Sequence, residues 1–188
     1  YRHQVITLSF RGSLTLRDWK ANSNILMAFV PDPTVKLSDD DQTDAPPDVG
    51  IFAGFMEYLF HEEENDDGTS KTSKYESAFD ALRTALEQTP GFQVRTTGHS
   101  MGGSLASIFS FFALTCGEDW VPPIECITFG APRFGDIGFF YAFRRLELAG
   151  RVSMLRVVNN EDVITTMPDR WACVQRTTYH HVGVELRL

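Results

Sequence analysis

Phe92-Gln93-Val94-Arg95-Thr96-Thr97-Gly98-His99-Ser100-Met101-Gly102-Gly103-Ser104 decides how the rest of the chain is read. Its first six residues alternate and are rich in β-formers, which predicts a short strand. Beyond Gly103, Leu105, Ile108, Phe109 and Phe112 recur at i, i+3, i+4 and i+7, the spacing of one helix face. Between strand and helix stands G-x-S-x-G, Gly98 to Gly102. A serine pinched there occupies a sharp turn. Gly98 and Gly102 remove side chains that would collide, and Ser104 and Ala106 keep the first helical turn slim. The helix start directs backbone N–H groups at whatever the serine reacts with, so Met101 N–H is the expected oxyanion donor. A small-residue turn without chemistry is the bland alternative; strand before and helix after favour Ser100 as a nucleophile.

The 188 residues predict one domain with a substantial core. A composition 43% hydrophobic and 12% aromatic places the chain among globular proteins rather than disordered ones. A net charge of -8 without a basic cluster argues against nucleic acid and anionic membrane surfaces, and leaves a neutral lipid surface open. No apolar run approaches the length of a transmembrane segment, and the first residues carry no signal-peptide pattern. Cys116, Cys126 and Cys173 lack metal-ligand spacing and are expected to be packing residues, so the compartment stays open. The chain opens on Tyr1 and enters a strand almost at once, so residues 1–188 are expected to be a single domain excised from a longer parent.

Val5 to Phe10 is nearly continuous in β-formers and predicts a central strand. It runs into Arg11-Gly12-Ser13, where Ser13 alone is best taken as a turn or helix cap before Leu14, Leu16 and Trp19. Residues 31–50 predict a loop, Ile51 to Phe60 a buried helix, and His61 to Ser73 a solvated insertion rather than a metal site. Tyr75, Phe79, Leu82 and Leu86 mark an amphipathic helix stopped by Pro90-Gly91. Ile124 to Phe129 and Met154 to Val158 predict further strands around a helix from Phe139 to Leu148. His181 to Leu188 predicts a half-exposed last strand. Strands alternating with helices imply right-handed crossovers and an α/β fold with a mainly parallel central sheet.

A serine nucleophile needs a base, and the base an orienting carboxylate. In G-x-S-x-G folds these follow in the order Ser, Asp/Glu, His, from later strand ends. Asp162 stands just beyond the strand Met154 to Val158 and is the favoured acid; Asp136 lies in a Gly/Pro turn where an Asx cap is the better reading. Only His180 and His181 follow Asp162, and they start a strand instead of ending one. Either that strand runs antiparallel, or the base lies beyond Leu188.

Several motifs together resemble the class 3, fungal-type lipases of the α/β-hydrolase superfamily. Phe10-Arg11-Gly12-Ser13 with Asp18-Trp19 is similar to that family's oxyanion loop and lid start, and Gly98 to Gly103 to its nucleophile elbow. Thr128 to Asp136 resembles its post-strand turn, Arg156 to Val163 with Pro168 its acid segment, and His181-Val182-Gly183 the strand that follows. The resemblance implies an α/β-hydrolase fold with helices on both faces of the sheet. It implies a lipase or carboxylic ester hydrolase acting on acylglycerols or related lipid esters, with phospholipase A1, galactolipase or a non-catalytic lipase-like module as alternatives. Ser100 and Asp162 are implied as catalytic residues, Ser13 and Met101 as the oxyanion hole, and residues from Ser13 towards Asn24 as a lid opening at a lipid–water interface. No metal or organic cofactor is implied. Phe52 stands where relatives often carry histidine, and His181 matches a structural position, so on this resemblance the catalytic histidine lies downstream of Leu188.

Overall fold

A computed structural model describes residues 4–12, 26–37, 46–64, 68, 70–168 and 178–188. In chain order the elements are β1 (Val5–Phe10), β2 (Met27–Pro31), β3 (Asp48–Phe52), α1 (Ala53–Phe60), β4 (Glu62–Glu64), β5 (Lys71–Ser73) and α2 (Lys74–Gln88). They continue with β6 (Gln93–His99), α3 (Met101–Thr115), β7 (Ile124–Phe129), α4 (Ile137–Leu148), β8 (Val152–Val158) and β9 (Val184–Arg187), with 3-10 turns at Val35–Leu37 and Val163–Thr166. The expected sheet is present: β1-β6-β7-β8-β9, every neighbouring pair parallel. β2–β3 and β4–β5 form separate two-stranded antiparallel units.

Helices flank this sheet because its alternate residues are apolar. Ile6, Leu8, Val94 and Ile124 pack with Phe79 and Leu82 of α2 and Phe109 of α3, while Cys126, Val152 and Met154 join Ala142, Phe143 and Leu146 of α4. The intervening residues Arg95, Thr97, Glu125, Ile127, Leu155 and Val157 are half-buried. α2 begins on a capping box in which Ser73 accepts from the Glu76 N–H and Glu76 accepts from the Ser73 N–H, an arrangement that stabilises a helix start by about 1 kcal/mol. α3 is more deeply enclosed than one apolar face requires. Eleven of its residues are buried, since α1 and α2 close over the side turned away from the sheet.

Three expectations need correction. β1 is an edge strand among the described residues, with Thr7 and Ser9 exposed; a run of β-formers cannot distinguish an edge from a centre when helices cover only its apolar face. The segment 31–50 is not all loop and the helix does not start at Ile51. β3 pairs with β2 from Asp48 to Phe52, and the helix begins at Ala53. β9 is shorter than residues 181–188 and exposed at all four positions. The β2 end is tied to α4 by a buried cluster: Asp32 accepts from the Thr34 N–H at 2.8 Å and from Arg145 Nη2, and Arg145 Nε donates to Thr34 Oγ1 at 2.9 Å. Ser13, Trp19, the lid residues to Asn24, and Cys173 lie outside the described residues. Among those described, no helix is long and apolar enough to cross a membrane.

Candidate active site

The turn from β6 into α3 is built by close backbone approach. A methyl group at Gly98 would stand 2.3 Å from the Gly102 carbonyl, and one at Gly102 would stand 2.1 Å from the Phe10 carbonyl oxygen. Those contacts are backbone on backbone and cannot yield. Ser100 is held at φ 55°, the positive-φ non-glycine residue of the described chain. Such a conformation costs on the order of 1–3 kcal/mol and persists only where the surroundings enforce it. Here they do: Ser100 N–H donates to the Phe129 carbonyl at 2.9 Å, and Gly103 N–H donates to the Ser100 carbonyl at 2.9 Å. Ser100 occupies the N-cap of α3, yet its hydroxyl makes no capping bond. Met101 opens the helix, so its N–H stands at the positive end of the helix dipole. The β1 exit loop lies against the elbow: a methyl at Gly12 would be 2.7 Å from the His99 carbonyl oxygen and 3.6 Å from Ser100 Cβ.

Asp162 follows β8 on the same rim. Its Oδ1 accepts from the Ile164 N–H at 2.9 Å and caps the turn Val163–Thr166. Its Oδ2 has no hydrogen-bond partner among the described residues and lies over Gly130, where a methyl would be 2.6 Å from that oxygen and 3.6 Å from His99 Nε2. Gly130 directly follows Phe129, whose carbonyl binds Ser100 N–H, so the half-buried hydroxyl and carboxylate flank one strand end. Asp136 is a cap, as expected. It is buried, and its Oδ1 accepts from Phe139 N–H at 2.8 Å and Gly50 N–H at 2.9 Å, while burial raises its pKa.

A family model described as Lipase (class 3) matches residues 7–171. The chain belongs to the class 3 lipase family. It is 30% identical to "Galactolipase DONGLE, chloroplastic" of Arabidopsis thaliana over 97% of its length, and 30% identical to "Phospholipase A1 EG1, chloroplastic/mitochondrial" of Oryza sativa subsp. indica over 97%. It spans 40% and 42% of those two proteins, about two fifths of each. In fold it is similar to a lipase of Rhizopus microsporus var. chinensis (TM-score 0.67, 21% identity, covering 99% of this chain and 53% of that one). A triacylglycerol lipase of Penicillium expansum is similar too (TM-score 0.66, 18% identity, covering 98% of this chain and 60% of that one).

In this class 3 family member the last strand is parallel to β8, which removes the antiparallel arrangement that would have turned His181 towards Ser100. His181 is committed elsewhere: its Nε2–H donates to the Thr165 carbonyl at 2.8 Å. Burial, with Arg156 second, pushes its pKa down to about 4, too low for an effective general base at neutral pH. His180 is bonded to Thr178 Oγ1 at 2.9 Å, and His61 pairs with Glu57 at 3.1 Å on α1. Neither the placement of Asp162 Oδ2 over Gly130 nor the bond from His181 to the Thr165 carbonyl was legible without the fold. A cleft of about 1220 Å³ lined by Gln93, Ile124, Val152, Trp120 and Arg83 sits at the first residues of β6, β7 and β8. Seven strand residues, about 20 Å, separate that rim from Ser100, so it is not the site. Among the described residues no group of three or more His, Cys, Asp or Glu is placed to hold a metal ion. Cys126 is buried and free and Cys116 exposed and free.

The depressed histidine predicts a pH dependence. His181 is ordinarily protonated below about 6.5 but binds its proton in the fold only near 4, so its contribution is complete above 6.5 and lost as pH falls towards 4. Up to about 3 kcal/mol of stability is at stake. Urea midpoints at pH 7 and pH 4.5 should fall more steeply for the native protein than for His181→Gln. Equal falls would show that His181 does not carry the effect.

Proposed function

We propose that this domain is a carboxylic ester hydrolase of acylglycerol-type lipids working through an acyl-serine intermediate, with Ser100 as nucleophile and Asp162 as the acid of a triad. Ser100 Oγ attacks the ester carbonyl while an imidazole from outside the described residues takes its proton. The developing oxyanion is received by Met101 N–H and Ser13. The same imidazole returns the proton to the leaving alcohol, and water then cleaves the acyl-serine by the same steps. The observation that carries this reading is the pairing on one rim of a strained, uncapped Ser100 with an Asp162 whose Oδ2 accepts no hydrogen bond from a described residue. Phe129 (44% exposed) and Val163 (67% exposed), neighbours of that rim, offer apolar contact to lipid, in keeping with work at a lipid–water interface. Because two relatives are named a galactolipase and a phospholipase A1, polar glycerolipids are the substrate class proposed ahead of neutral ones. Residues 1–188 are taken as one α/β-hydrolase domain.

The test uses the native polypeptide that carries these residues. A fluorophosphonate should label Ser100, and fatty acid should be released faster from galactolipid or phosphatidylcholine vesicles than from a triacylglycerol emulsion. Ser100→Ala should show neither label nor release. Undiminished release by Ser100→Ala would overturn the acyl-serine reading. The second reading, a lipase-like module without catalysis, is favoured by the commitment of His180 and His181 to other partners. Absence of label and release in the native polypeptide would select it.

A further inference from the structure

We propose that Arg133 and His181 are positioning residues that strap down the turn carrying Asp162, so that its Oδ2 is presented at a fixed place on the rim. This rests on reading Asp162 as the catalytic acid. Residues 163–168 form a short surface turn with Val163 and Thr166 exposed. Its internal bonds are all local: Thr165 N–H and Oγ1 donate to the Asp162 carbonyl at 3.3 and 2.8 Å, Met167 N–H to the Ile164 carbonyl at 3.1 Å, Thr166 Oγ1 to the Val163 carbonyl at 2.7 Å, and Ile164 N–H to Asp162 Oδ1 at 2.9 Å. A turn of that kind opens readily unless it is tied to the body of the protein.

Four successive carbonyls provide the ties. His181 Nε2–H donates to Thr165 O at 2.8 Å. Arg133 Nη1 donates to Thr166 O and, at 3.1 Å, to Pro168 O. Between them, Arg133 backbone N–H donates to Met167 O at 2.8 Å. Arg133 therefore grips three consecutive peptide units with one residue, and His181 takes the unit before them. Arg133 stands three residues after Gly130, in the same β7–α4 connection. One connection thus leaves the space that Asp162 Oδ2 occupies and anchors the turn from which Asp162 projects. Both side-chain bonds leave one nitrogen of the guanidinium, Nη1, whose two N–H groups serve one carbonyl each. Displacing a catalytic group by about 1 Å can lower turnover about 10²-fold, so a strap of this kind acts on rate through the carboxylate it holds.

Two readouts in the native polypeptide test the strap. Arg133→Ala should raise amide hydrogen exchange of Ile164, Thr165 and Met167 at least about 10-fold, and lower kcat for a short p-nitrophenyl ester about 10²-fold with KM unchanged. His181→Gln keeps an N–H donor and should stay near the native values in both, whereas His181→Leu should resemble Arg133→Ala. Unchanged exchange in both Arg133→Ala and His181→Leu would overturn the strap. Raised exchange with native kcat would overturn the positioning role, and so would His181→Gln losing as much as His181→Leu. Ser100→Ala in the same assay separates the two claims. Turnover surviving it would sink the hydrolase reading, while the exchange arm would still read the strap by itself.

Discussion

Replacing Ser100 by glycine is expected to silence the site and stabilise the fold in one step. Ser100 sits at φ 55°, ψ -129°, a region glycine enters freely and a residue with Cβ does not. The strain is on the order of 1–3 kcal/mol. Part of its relief is offset by glycine's greater freedom in the unfolded chain, roughly 1 kcal/mol. A net gain of about 1 kcal/mol should appear as a higher urea midpoint for Ser100→Gly than for Ser100→Ala, which keeps the strain. Neither variant should take a fluorophosphonate label, and ester turnover should fall by about 10⁶-fold, near 8 kcal/mol of barrier, as in serine proteases that lose the nucleophile. A glycine variant no more stable than the alanine variant would show that the elbow is not strained at Ser100.

The second large effect concerns the acid and the space reserved for it. Asp162→Asn can still cap the turn, because an amide oxygen accepts from Ile164 N–H as Oδ1 does now. The opposite edge becomes an NH₂, which cannot accept from an imidazole. Turnover should fall about 10⁴-fold with little change in thermal stability, the result known for the equivalent change in a protease triad. Gly130→Ala should reproduce part of that loss with the carboxylate intact. Its methyl would stand 2.6 Å from Asp162 Oδ2 on a residue with φ 56°, so the carboxylate must turn away. A fall of about 10²-fold is expected, together with a destabilisation of about 1 kcal/mol from the positive φ. Native turnover in Gly130→Ala would mean that Asp162 Oδ2 is not the oxygen that matters.

The tight turn at Ser100 and the position of Asp162 beyond β8 were legible because each is a local pattern. Glycines at 98 and 102 exist where backbones meet at 2.1 to 2.3 Å from any added methyl, so that requirement is written directly as residue type. Asp162 follows a strand by a short count, and Asp136 was separated from it because a Gly/Pro turn ahead of a helix calls for a cap. The β2–β3 hairpin was hidden because Asp48 to Phe52 continues without a break into the apolar helix Ala53–Phe60, and periodicity cannot divide one apolar run between two elements. The status of β1 escaped for a related reason: composition reports which face is apolar, not how many strands lie beyond.

By itself, then, the order of residues determined the parallel α/β architecture, the tight turn at Ser100 and the place of Asp162 after a strand, since all three depend on spacing within a few residues. Tertiary structure decided what His181 is for. Its imidazole gives its N–H to the Thr165 carbonyl, in the turn after Asp162, and burial, then Arg156, lowers its pKa. No sequence pattern states that, because the carbonyls tied by Arg133 and His181 meet them only after β7, β8 and β9 have aligned, and backbone carbonyls are the same in every residue.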